Sequence, residues 1–155
     1  MYIPTTQRLG ISSAEAEPFV YGRENIPHIW PELEALLLPC FEETKGMLDS
    51  ASVYEWLTCG WATAFAVVEN GRLITALIVM PVDYSTYRCA RVVACGGTDL
   101  RGATRFIDAL EAWALTQGCV ELEAWCRPVV ARLIHGFGWN QKLIILNRDL
   151  RRKLQ

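Results

Sequence analysis

Asn70-Gly71 lies between two apolar runs, 61–68 and 72–82, and it constrains the fold more than any other feature of the chain. A two-residue hairpin turn needs positive φ at both central positions, which Asn and Gly adopt at least cost. Residues 61–82 are therefore expected to form an antiparallel hairpin. Residues 87–95, rich in Val and Ala, read as a third strand ending at Gly96-Gly97.

Helical spacing flanks this meander. Ile29, Leu33, Leu36, Leu37 and Phe41 recur on one face of a helix over 26–45, with Pro31 suited to its first turn and Pro39 expected to end or kink it. A second helix is expected over 49–59, capped by Asp49 or Ser50. After the third strand, Phe106, Ile107, Leu110, Trp113, Ala114 and Gln117 share one stripe of a long helix that Gly118 stops. A strand over 120–125, a short helix over 129–137 and a closing strand over 143–147 complete the order. A helix between two strands favours parallel pairing, so the sheet is expected to be mixed but mostly antiparallel, with helices on both faces. Residues 1–26 read as an extended arm ahead of one domain, 27–155, draped over it or bound to a neighbouring subunit.

Composition excludes several classes. Fifty-two per cent hydrophobic residues supply a sizeable core for 155 residues. Fifteen Lys and Arg against 17 Asp and Glu give a net charge of -2, so no global positive field draws the chain to nucleic acid. The basic tail of Arg148, Arg151, Arg152 and Lys153 reads as a solvated end or an edge shield. Six cysteines without a C-x-x-C pair read as reduced, buried thiols and not as a metal site. The start lacks a basic segment followed by an apolar one, and the run 73–82 is broken by Thr75 and Pro81 at about half the length that spans a bilayer. A cytoplasmic protein without membrane contact is expected.

The element order, with 103–114 and 131–139, resembles the GNAT superfamily of acyl-CoA N-acyltransferases over roughly residues 27–150. The resemblance implies an α/β (α+β by some schemes) three-layer fold and, for an active member, acetyl-CoA as cofactor. In that family a loop of pattern Q/R-x-x-G-x-G/A enters a helix whose N-terminal amides hold the CoA pyrophosphate, because unpaired N–H groups and the helix dipole favour an anion. The corresponding loop here comprises Gly96, Gly97, Thr98, Arg101, Gly102 and Ala103. Thr98 stands for Gln or Arg, Arg101 for the first Gly, and only Ala103 matches. Arg101 either blocks the approach of phosphates or swings out to pair with one.

GNAT enzymes also carry N-x-x-A-x-x-L-Y in the short helix, with Tyr protonating the leaving thiolate. Aligned on the Gly138-Trp139 pair that follows, Leu133 matches, whereas Ile134 replaces the Tyr. Ile cannot deliver a proton. His135 is the neighbouring titratable group, turned about 100° round the helix. Glu121 and Glu123 alternate with apolar residues on one strand face, so either could serve as the base that activates an amine, or both could line a polar sheet face.

The stretch Gly96-Gly97-Thr98-Asp99-Leu100, together with Arg127, Pro128, Arg132 and Leu133, is similar to a small GNAT-like group of tailed bacteriophages, although Val130 departs from its Trp. That resemblance implies a non-catalytic, virion-associated structural or interaction protein with protein partners or self-association. An active N-acetyltransferase acting on an amine is the alternative.

Overall fold

The computed structural model describes residues 6–8, 18–97 and 106–153. Six strands form one sheet in chain order: β1 (Thr6–Arg8), β2 (Pro18–Tyr21), β3 (Thr63–Glu69), β4 (Arg72–Asp83), β5 (Arg88–Gly97) and β6 (Glu121–Ala124). Four neighbouring pairs are antiparallel, and β5–β6, joined through helix α3 (Ile107–Thr116), is parallel. The mixed, mostly antiparallel α/β sheet read from the sequence is the one observed.

At the hairpin tip Asn70 and Gly71 have φ of 50° and 75°, the doubly positive pair that the β3–β4 turn demands. Strand β3 begins two residues later than expected because Trp61 and Ala62 are used to close the preceding helix. Both donate their N–H to the Trp56 carbonyl, beyond a left-handed Gly60. That helix, α2 (Ser50–Cys59), starts where the capping signal predicts: Asp49 accepts from the Ser52 N–H at 2.8 Å. The cap holds the Asp49 carboxyl below its ordinary pKa, so its contribution is present above the unfolded carboxylate range and lost as pH falls through the folded value. Asp49→Ala is expected to lower the thermal midpoint at pH 7 but to have little effect at pH 2, a contrast that scanning calorimetry measures.

Helix α1 (Ile26–Glu43) corrects two expectations. Pro27, not Pro31, occupies the first turn, and the helix runs through both Pro31 and Pro39. Each proline forfeits a backbone hydrogen bond, yet Leu33, Leu37 and Phe41 bury one continuous face and hold the helix together. The arm is also corrected in its described part. Residues 18–21 pair along their whole length with β3, Pro18 is buried, and Ile26 belongs to the core.

The sheet separates two apolar cores. One face carries Ala64, Ala76, Ile78 and Ala94 beneath α1 and α2; the other carries Phe65, Val67, Leu77 and Val79 against Phe106, Leu110 and Ala114. Small residues on the first face let α1 lie close to the strands. Large ones on the second fill the gap to α3, where Phe65 meets Trp113 edge to face at 5.2 Å.

The chain divides after Trp125 into two compact units, the second comprising 126–155. Within it helix α4 (Pro128–His135) forms as expected. The expected closing strand over 143–147 is not seen: among the described residues no ladder includes it, and its side chains are exposed. Strand-forming residues alone cannot make a strand, since the backbone groups need a neighbour.

Candidate functional site

Strands β5 and β6 stay paired for only four residues, from Cys89 opposite Glu121 to Val92 opposite Ala124. Strand β5 then continues to Gly97 along β4. From Val93 to Gly97 the side of β5 turned away from β4 has no ladder partner among the described residues. A short parallel pair that parts in this way leaves a line of strand amides open to a ligand.

Of the loop residues singled out in the sequence, Gly96 and Gly97 end β5, and Thr98, Arg101, Gly102 and Ala103 lie outside the described residues. The two glycines have packing duties. A Cβ on Gly96 would stand 2.0 Å from the Leu36 carbonyl oxygen of α1, and one on Gly97 would stand 2.5 Å from the Ile74 carbonyl oxygen of β4. Beside Gly97 the Thr75 hydroxyl is buried and has no hydrogen-bond partner among the described residues.

Glu121 and Glu123 share a face of β6, as the alternation predicts. Glu123 is the hub of a polar cluster. Its carboxylate accepts from Tyr84 Oη at 2.6 Å, Arg91 Nε at 2.6 Å and Trp125 Nε1 at 2.7 Å. Arg91 also donates to Tyr84 Oη at 2.9 Å, and its guanidinium lies 4.2 Å from the centre of the Trp125 ring. Partial burial opposes ionisation of Glu123, but the hydrogen bonds from Tyr84 and Arg91, the Arg91 charge and the Trp125 indole outweigh it and hold the pKa below the ordinary range. A carboxylate held in this way is a weak proton acceptor. The Tyr84 hydroxyl moves the other way, raised chiefly by its bond to Glu123.

Tyr84, Arg91 and Trp125 were not singled out in the sequence. The available signal was Arg91 itself, a cation within a Val- and Ala-rich strand, which has to find an acid when half-buried.

His135 ends α4, where its Nδ1 lies 2.9 Å from the Trp139 carbonyl oxygen. The Cys89 and Cys95 thiols are poor nucleophiles. Burial pushes Cys89 up to about 11, aided by the Glu123 charge, and pushes Cys95 to about 11. Among the described residues no group of three or more His, Cys, Asp or Glu is placed to hold a metal ion, and no helix is long and apolar enough to cross a membrane.

Three layers, a mixed sheet and a parting parallel pair define an acetyltransferase-type fold, and solved structures match it. An aminoglycoside acetyltransferase from an uncultured soil metagenomic sample is 13% identical, with TM-score 0.66, covering 87% of this chain and 98% of that one. A predicted acetyltransferase with acetyl-CoA from Clostridium acetobutylicum is 13% identical, with TM-score 0.66, covering 89% and 98%. A ribosomal-protein-alanine N-acetyltransferase from Brucella melitensis biovar Abortus 2308 is 17% identical, with TM-score 0.57, covering 86% and 100%. No family model and no curated protein matches the sequence. The chain has the fold of the GNAT acetyltransferases.

Proposed function

We propose that this chain is a GNAT-fold protein with a degenerate acyl-CoA site, acting as a non-catalytic structural or interaction protein. The observation that carries this reading is the state of Glu123. One of the two strand carboxylates offered as a base, Glu123, is tied to three donors and has a lowered pKa. Two sequence features act in the same direction: Ile134 stands where the family's proton donor belongs, and Arg101 where the phosphate loop calls for Gly. Loss of positioned acid–base help typically costs a hundredfold or more in rate. The likeness of residues 96–100 and 127–133 to tailed-phage proteins motivates a virion or assembly role in a host cytoplasm, with protein partners or self-association.

The second reading is an acetyl-CoA-dependent N-acetyltransferase acting on an amine. The side of β5 from Val93 to Gly97 that has no ladder partner among the described residues favours it, because such an edge suits an extended, amide-bearing chain like that of CoA. Under this reading Gly96 to Ala103 would flank the phosphates, and Glu121, Glu123 or His135 would move protons.

A thiol-release assay with acetyl-CoA and a panel of primary amines separates the two. The proposal expects no release above the uncatalysed rate. Release that falls with Glu121→Gln, Glu123→Gln or His135→Ala would establish the enzyme and identify its base or acid.

A further inference from the structure

Arg91 is held as a bound cation would be. Its Nε donates to the Glu123 carboxylate at 2.6 Å, its Nη2 donates to Tyr84 Oη at 2.9 Å, and the guanidinium lies 4.2 Å from the centre of the Trp125 ring. A carboxylate, a hydroxyl acceptor and an aromatic face are the groups that recognise a guanidinium or an ammonium ion. A guanidinium paired for stability alone needs only the carboxylate.

The three groups come from outside β5 and are tied to one another. Tyr84 sits in the β4–β5 turn, where its N–H donates to the Tyr87 carbonyl at 2.8 Å and its ring lies 5.1 Å from the Tyr87 ring. Tyr84 Oη and Trp125 Nε1 donate to Glu123 directly, at 2.6 and 2.7 Å. The arrangement therefore has bonds that hold its shape without Arg91. It is also open to water, since the Arg91 side chain is 19% exposed and Tyr84 40%. Arg91 supplies positive charge that acts on Glu123. Without it a partly buried carboxylate has lost its counter-ion, and such a group draws in another cation.

We propose that Glu123, Trp125 and Tyr84 form a binding site for an organic cation, a guanidinium or primary ammonium group, and that Arg91 fills it from within as an autoinhibitory stand-in. The chain carries a ligand site that its own side chain keeps closed. This deepens the non-catalytic reading and rests on it in one respect: a Glu123 engaged by Arg91 is not free to take a proton from an amine. The two fail separately. Thiol release by the wild type would overturn the non-catalytic reading, whereas the cation site is judged by binding alone. A failed cation site leaves Ile134 and Arg101 as they stand in that reading.

Arg91→Ala should lower the thermal midpoint of the full chain. Methylguanidinium chloride at about 50 mM should raise the midpoint of this variant saturably, by about 3 °C, where equal NaCl does not. The wild type, with its site filled, should not respond. No rise above the salt control overturns the proposal. An equal rise in the wild type, or one that persists when Arg91→Ala is combined with Glu123→Gln, places the cation elsewhere and overturns it as well. Should Arg91→Ala fail to fold, it must regain the wild-type circular dichroism on refolding in methylguanidinium and not in NaCl. Failure in both overturns the site.

Discussion

Gly96→Ala is expected to destabilise the protein by about 3 kcal/mol, a large effect for one methyl group. The added carbon would sit 2.0 Å from the Leu36 carbonyl oxygen and 2.7 Å from its carbon, both in the backbone of α1. A flexible side chain could turn away, but here α1 must shift from the sheet. That shift disturbs the core containing Leu33, Leu37, Ala64 and Ala76. In urea the midpoint should fall without a change of slope. Gly136→Ala is the control: the site is open, φ is -63°, and the change should be neutral or stabilising by up to about 1 kcal/mol. Equal midpoints for Gly96→Ala and wild type would mean that α1 does not lie against β5 as described.

Glu123→Ala is expected to cost about 3 kcal/mol at pH 7, at the low end for breaking a buried ion pair. The side chains of Arg91 and Glu123 are 19% and 17% exposed, so solvent compensates only in part for the lost partner. The Arg91 guanidinium, the Tyr84 hydroxyl and the Trp125 indole would all lose their shared acceptor. The pH dependence has a definite sign. Because the folded pKa is lowered, the stabilisation is present above the unfolded carboxylate value near about 4.3 and is lost as pH falls through the folded value. The gap between wild type and Glu123→Ala should therefore narrow on acidification below about pH 4. A gap that stays constant from pH 7 to pH 2 would show that the charge of Glu123 is not what holds the cluster.

The fold was legible where local chemistry decides it. Asn70-Gly71 fixed the hairpin, Asp49 marked the start of α2, and the stripe through Leu110 and Ala114 gave α3. It was less legible where distant partners decide. Pro39 reads as a helix end or kink because local propensity opposes it, whereas burial of Leu37 and Phe41 carries α1 past it. Residues 18–21 looked like part of an arm because a strand of four residues, only partly buried, has little pattern of its own; its pairing with β3 spans more than forty positions. Residues 143–147 differ in the opposite sense, having the marks of a strand but no ladder partner among the described residues.

The site shows the same division. Alternation along β6 placed Glu121 and Glu123 on one face. It could not reveal that Tyr84, 39 positions away, and Arg91, 32 positions away, converge on Glu123 and change what that carboxylate can do. The Gly96-Gly97 pair looked like a phosphate-loop signature, yet each glycine also answers to a backbone close by.

Calorimetric titration of the folded chain with acetyl-CoA tests the central claim most directly. A degenerate acyl-CoA site predicts no binding heat up to millimolar ligand. Micromolar binding, accompanied by thiol release once an amine is supplied, would contradict it.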